Sequence, residues 1–415
     1  MGYTEPMDST QPDVAAHRAT GATAEGRVVL APKRDRHTLR GHPWVLGTQI
    51  DRVEGKPRTG DLVTVSASDG RVLGVGFYHG RSLIRVRLLS VQPIDDPDAW
   101  LDGRIREAFD FRRGLFPDAN HWRAVNGEAD GIPGTVIDRY GDVLVFSTVC
   151  AAIELRRERI WDLLEEIDRP RAIVQRDDNW LRAKDGLPEV RAIVRGELSG
   201  PVRIEERGVR FEIDPLHGPK TGFFLDQRFH RSMLRRFVPG KRVLDLFCAD
   251  GGFGLHAAVA GAAQVTLADS SAAALARAEA NASSSGVADR VAFREVDLLD
   301  ALPGWSTEEH GRWDVIVLDP PAFAKSRRHV EAAERAYQLL NINAMRMLPS
   351  GGILATSSCS SAVDEADWIK MLRYSARKAD ARFRLVFRGC QPPDHPSLPE
   401  MPETEYLKFR VLRKL

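Results

Sequence analysis

The stretch "VLDLFCADGGFGLHAA", residues 243–258, decides how this chain is read. An apolar run carrying Asp245 reads as a strand. Gly251, Gly252 and Gly254 then turn the chain into an Ala- and Leu-rich helix. A dinucleotide loop would show GxGxxG here, because a tight turn around a pyrophosphate needs small residues and free N–H groups. Phe247 and Ala249 stand at the two early glycine positions. A pyrophosphate-hugging turn is therefore disfavoured, and NAD, the first rival ligand, with it.

Outward from this loop, strand and helix alternate from Lys241 to the C-terminus. Seven strand-like runs follow one another: "RVLDLFCA", "QVTLADS", "VAFREVD", "DVIVLDP", "GGILATSSC", "RLVFRGC" and "YLKFRVLR". Such alternation predicts an α/β fold with a mostly parallel, Rossmann-like sheet wound on both faces, whose ligands bind at the carboxyl ends of the strands. The second run ends at Asp269-Ser270 and the third at Asp297. Asp269 is placed to accept from ribose hydroxyls and Asp297 from an adenine amine. A loose loop with Gly251 and Gly252 over Asp245 suits a ligand made of an amino acid and an adenosine without phosphate. That ligand is S-adenosylmethionine. Strand-end aspartates also serve capping, so the inference rests on the three in order after the glycine-rich loop.

The fourth run ends "VLDPPAFAKS", residues 317–326. Pro320 and Pro321 fix their φ angles and donate no hydrogen bond, so the chain leaves the sheet in a rigid extended turn. With Phe323 and Lys325 they are the expected substrate contacts. The fifth run climbs to "SSCS", with Cys359 at its lip. Adjacent fourth and fifth strands would bring Asp319 and Cys359 to the same sheet edge. C5 of a pyrimidine is a poor nucleophile, and a thiolate adding at C6 turns it into an enolate-like carbon able to accept a methyl group. Such a thiol is expected partly exposed and near a helix N-terminus, with its pKa lowered. Asp319 would protonate or hydrogen-bond N3 of the base. Against this stands the reading of Cys359 as an inert strand-end residue, the role assigned to Cys150, Cys248 and Cys390.

The remaining chain reads as separate units. Residues 1–26 hold few large apolar groups and are expected to form a disordered tail. Residues 27–95 show short strands and turns, a small β-barrel; within 27–94, twelve Lys/Arg face five Asp/Glu, a local excess of +7 on a chain of net charge +1. That excess suits an RNA- or phosphate-facing module as well as a merely Arg-rich solvated surface. Residues 96–205 form a small central α/β unit, and 206–415 complete the fold. No apolar run approaches membrane-spanning length, no secretory signal pattern opens the chain, and Pro6 replaces the Ser or Thr of a myristoylation signal. Four scattered cysteines build neither a disulfide framework nor a CxxC metal site, so a cytoplasmic protein without metal is expected.

Beyond this grammar, "GHPWV" (41–45), "VNGEADGIPGTVIDRYGD" (125–142), "KTGFFLDQR" (220–228), "LDPPAFAKS", "SSCS" and "DHPSLPEMPETEYLK" (394–408) carry a resemblance. The chain resembles the class I ribosomal RNA large-subunit methyltransferases that form 5-methylcytosine in 23S RNA. From about Arg27 onward this implies an RNA-binding PUA domain, a central α/β domain and a Rossmann-like methyltransferase domain, with a homodimer expected at family level only. It also implies that Phe223, Gln227 and Arg228 help to hold S-adenosylmethionine, that Cys359 is the catalytic cysteine and that Asp319 is its acidic partner. Ala249-Asp250 departs from the family loop, and the added charge should push on the methionine carboxylate or face its ammonium group. Two rivals stay open: a base N-methyltransferase using the Asp319-Pro320-Pro321 turn, and a non-catalytic RNA-binding assembly factor.

Overall fold

The computed structural model describes residues 25–323 and 330–415. Most of the expected tail lies outside them, as does Lys325.

The first unit is a six-stranded sheet whose spatial order is Trp44–Leu46, Ile84–Ser90, Val72–Tyr78, Leu62–Ser66, Gly26–Leu30, Ile50–Gly55. Its two end strands are joined by only Gly47–Gln49, so the sheet must curl until its edges nearly meet. Val28, Leu30, Val45, Val63, Val65 and Val86 fill its interior. Strand periodicity sends Leu62, Val75 and Phe77 to another face, where they join the core under the helix Pro97–Leu115. That helix starts as its sequence requires: Pro97 opens it, and Asp96 caps the N–H groups of Asp98 and Ala99.

The middle sheet has five strands, ordered Val190–Gly196, Ala172–Asp177, Val143–Thr148, Thr135–Tyr140, His121–Asn126. The helix Arg157–Asp168 makes the crossover between the parallel strands Val143–Thr148 and Ala172–Asp177. A hairpin, Val202–Glu206 with Val209–Ile213, follows. Its turn residues Arg207 and Gly208 both have positive φ, the geometry that matches strand twist.

The third sheet carries the chemistry. Its strands are β1 (Arg242–Leu246), β2 (Gln264–Asp269), β3 (Val291–Glu295), β4 (Val315–Leu318), β5 (Ile353–Ser358), β6 (Phe383–Gly389) and β7 (Lys408–Lys414), in spatial order 3-2-1-4-5-7-6. β1 to β5 run parallel and β7 lies antiparallel between β5 and β6. All seven expected strands are present. The strand order reverses between β1 and β4, which opens a crevice at their carboxyl ends.

The segment between β6 and β7 fastens this sheet to the middle one. Arg112, fully buried, donates to both oxygens of Asp130 at 2.6 and 2.8 Å and to the Asp394 carbonyl at 3.1 Å. The Asp394 carboxylate accepts from the Arg123 N–H at 3.1 Å, and Asn126 donates to the Pro396 carbonyl at 2.9 Å. Among the described residues no helix is long and apolar enough to cross a membrane.

Candidate active site

A cavity of about 540 Å³ opens at the crevice. On its cofactor side it exposes Phe223, Gln227, Gly252, Asp269, Ser270 and Asp297. On its other side stand Asp319, Pro320, Pro321, Phe323 and Cys359. A depression of about 670 Å³ beside Gln264 and Val291 lies at the opposite ends of β2 and β3, away from every candidate residue.

The loop after β1 is strained in a defined way. Phe247 (φ 61°), Ala249 (φ 45°) and Gly251 (φ 83°) are all left-handed. A non-glycine residue held there costs of order 1 kcal/mol, sustained only where surroundings impose it. They do: Cys248 N–H donates to the Ala268 carbonyl at 3.2 Å, Ala249 N–H to Asp269 at 3.0 Å and Gly251 N–H to the Cys248 carbonyl at 2.9 Å. Gly251 shapes the loop from behind, since a Cβ there would meet Leu255 at 3.0 Å. Asp245 likewise lies beneath the loop and not on the cavity wall. One of its oxygens accepts from Gly254 N–H at 2.8 Å and the other has no partner. Burial, with Asp319 and Asp269 adding repulsion, pushes its carboxyl up to about 8. Gly254 is needed for contact: a Cβ would come within 2.1 Å of Leu267.

Two expectations are corrected. Asp250 does not confront a ligand with a bare charge, because Arg277 pairs with it at 2.8 Å. Arg228 is not on the cavity wall. It donates to the His121 carbonyl, lies 4.0 Å from Asp394 and packs over the Phe116 ring at 4.6 Å, so it ties the third unit to the middle one.

Strand pairing positions the reactive groups. Leu318 is registered with Thr356, so Asp319 falls opposite Ser357, whose hydroxyl donates to the Asp319 carboxylate. Gln227 donates to the same oxygen at 2.9 Å. Burial pushes Asp319 up to about 6, against the pull of these two donors and of Lys220, with Asp226 repelling it. Cys359 follows two residues after Ser357 and remains partly exposed in the cavity. Its expected low pKa is not found. The next helix, Glu365–Lys378, starts six residues later with its first turn capped by Asp364, too far to polarise the thiol. Burial pushes Cys359 up to about 11, and Asp319 and Asp226 add to the rise. Lys220 is the charged group that opposes it, with a smaller pull from a backbone hydrogen bond.

Lys220 belongs to a cluster that residue-by-residue reading did not assign. Its ammonium lies 2.6 Å from Asp226, and the Tyr406 hydroxyl donates to the same Asp226 oxygen at 2.8 Å. Asp226 is 2% exposed, and these two donors with His395 hold its carboxyl well below the usual range despite burial. Lys220 and Asp226 both line the cavity. The available signal was their position inside "KTGFFLDQR", and that of Tyr406 inside "ETEYLK". The Pro-Pro turn is buttressed from below: Tyr337 bonds Ser360 at 3.0 Å and meets the Phe323 ring edge-on at 5.0 Å.

A PUA-like domain family matches residues 28–91, and the S-adenosylmethionine-dependent methyltransferase family matches residues 189–410. A curated protein of Shewanella denitrificans named Ribosomal RNA large subunit methyltransferase I is 40% identical over 93% of this chain and 99% of its own. The protein of that name from Aeromonas salmonicida is 36% identical over 93% and 98%. The chain belongs to the ribosomal RNA large subunit methyltransferase I family. A solved Streptococcus mutans structure, assigned as a SAM-dependent methyltransferase, shares the fold with a TM-score of 0.80 at 19% identity, covering 94% of this chain and all of that one. A second such structure, SMU.776, solved in complex with SAH, gives 0.79 at 19% identity and 94% coverage.

S-adenosylmethionine is the cofactor of the family member described here. The residues fit it. Asp269 accepts one backbone N–H on each carboxylate oxygen and Asp297 accepts one in all, so both keep lone pairs for a ligand in the cavity they line. Phe247, Leu298 and Leu299 supply apolar wall for a flat ring, and Gly252 leaves room for close backbone approach.

Proposed function

We propose that the protein methylates C5 of a cytosine in 23S ribosomal RNA through a covalent adduct on Cys359. The observation that carries the reading is the shared cavity: a cysteine and a hydrogen-bonded carboxyl at adjacent strand ends, facing the cofactor loop. The names of the curated relatives support ribosomal RNA of the large subunit as the substrate, and with it a cytoplasmic location.

Bound S-adenosylmethionine supplies an electrophilic methyl group. Cys359 Sγ adds to C6 of the base, and the C5–C6 π pair becomes available at C5. Asp319, with a pKa of about 6 and held by Gln227 and Ser357, hydrogen-bonds or protonates N3 as charge builds there. Lys220 favours the thiolate that the reaction needs. Once C5 carries the methyl group, water or another base takes the C5 proton, the C–H pair re-forms the C5–C6 double bond, and the Sγ–C6 pair leaves with Cys359 as its thiolate. Pro320, Pro321 and Phe323 shape the wall against which a flat base rests. A base must leave its stack to reach this cavity, so a loop or assembly intermediate is the favoured target.

The raised Cys359 pKa favours a second reading, in which the Asp319-Pro320-Pro321 turn directs methylation of an exocyclic amine. One experiment separates them. Purified protein is incubated with S-adenosylmethionine and ribosomal RNA from cells lacking it, and the digested nucleosides are identified by mass spectrometry. 5-Methylcytidine that disappears with Cys359→Ala supports the cysteine mechanism. Another methylated nucleoside, still formed by the variant, supports the second reading. No methylation of any RNA by wild type leaves the assembly-factor alternative.

A further inference from the structure

Trp180 is a large aromatic residue 47% exposed, and its neighbour Leu181 is 39% exposed. It is the only exposed tryptophan among the described residues. It is also held in place. Arg182, two residues on, is fully buried and donates to the carbonyls of Pro188 and Thr148 at 2.8 and 2.5 Å, with Glu154 and Asp177 each 3.1 Å from its guanidinium. The short helix Leu181–Lys184 is therefore pinned from beneath while Trp180 stays outside.

The Lys184 ammonium lies 4.2 Å from the indole centroid. The Asp185 carbonyl meets His79 Nε2 of the first unit at 3.2 Å, and the other ring nitrogen of His79 accepts from the backbone N–H of the exposed Arg81 at 3.1 Å. Neither Lys184 nor Arg81 has a carboxylate partner among the described residues. In the other direction Asp178 joins Arg176 and Arg191. Arg176 donates to the Pro215 and Gly218 carbonyls at 2.8 and 3.2 Å, two residues before Lys220 on the cavity wall. The Trp180 patch thus lies between the basic β-module and the segment that forms the cavity mouth.

We propose that this patch is an RNA-gripping site outside the catalytic cavity: an unpaired base flanking the target stacks on Trp180, and Lys184 and Arg81 take the adjoining phosphates. Aromatic stacking with nearby cations is the chemistry by which proteins hold single-stranded RNA. The proposal rests on the reading that RNA is the substrate.

The test uses the full chain and an unmethylated 23S RNA transcript, comparing wild type with Trp180→Ala, Trp180→Phe and Lys184→Ala. RNA affinity is read by filter binding over a salt series, methylation by KM and kcat, cofactor affinity by calorimetry and assembly by sedimentation. Trp180→Ala should weaken RNA binding by roughly 5- to 100-fold. The loss should appear in KM more than in kcat, with cofactor affinity unchanged, and Trp180→Phe should restore most of it. Lys184→Ala should lower the salt slope by about one. Wild-type affinity in Trp180→Ala overturns the proposal and leaves the RNA reading intact. A changed sedimentation state with unchanged RNA affinity overturns it in favour of a protein interface. Failure of wild type to bind any RNA overturns both.

Discussion

Replacing Asp245 by Asn should separate stability from cofactor binding. Asp245 is 1% exposed, with one oxygen unpartnered and its carboxyl raised to about 8. An unfolded Asp titrates near 3.9, so the folded state binds the extra proton between about pH 4 and 8. Stability therefore falls as pH rises through that window. At about 1.4 kcal/mol per unit, the full rise amounts to about 6 kcal/mol as an upper bound; water penetration and relaxation bring it to about 2–4 kcal/mol. Asn keeps the acceptor for Gly254 N–H and carries no charge. Thermal melts of cofactor-free wild type and Asp245→Asn at pH 5 and pH 9 should show a gap that widens in the variant's favour by roughly 5–15 °C at the higher pH. Cofactor at a hundredfold excess over its Kd should raise the stability of wild type and variant alike by about 2.7 kcal/mol, because Asp245 lies off the cavity wall. A gap independent of pH, or a variant less stable at pH 9, would refute the assignment of Asp245 as a buried carboxyl held at an energetic disadvantage.

The same structure makes further quantitative demands. With a thiol raised to about 11, the rate of Cys359 alkylation by iodoacetamide should climb about tenfold per pH unit from pH 7 to 10, behind the exposed Cys390. Peptide mass spectrometry that found a midpoint below pH 8 would contradict it, and Lys220→Met should slow the Cys359 reaction at every pH. Gly254→Ala places a Cβ 2.1 Å from Leu267 and should destabilise by about 1–3 kcal/mol, seen as a lower urea midpoint. Gly103→Ala, in the interior of the helix Pro97–Leu115 with nothing within 4 Å of the new methyl, should stabilise by about 1 kcal/mol in the same titration. Arg277→Ala leaves Asp250 charged and unpaired beside the cofactor loop. A cofactor titration should show weakened affinity that Arg277→Lys partly restores.

Period and punctuation alone determined much of this protein. The alternation of strand and helix after Lys241, the Phe247 and Ala249 substitutions in the glycine-rich loop and the Asp-Pro-Pro turn are local signals. Each concerns residues within one turn or one strand of each other. They sufficed for the sheet, the cofactor and the edge where Asp319 and Cys359 meet, because parallel strands carry their carboxyl ends to a common side.

What needed the tertiary structure was everything set by distant neighbours. The partners of Arg228 are His121 and Asp394, far away in both directions along the chain, so a basic residue that reads as a ligand contact is a structural tie. The Asp250 charge is answered by Arg277 from the next helix. Cys359 has the position that its sequence promised but a pKa of about 11, because burial and two carboxylates outweigh one lysine. The cluster of Lys220, Asp226 and Tyr406 joins residues up to 186 positions apart around one oxygen atom. Sequence spacing sets which way a side chain leaves its strand, but pKa, desolvation and ion pairing are sums over everything within a few ångströms, and only the folded chain brings those terms together.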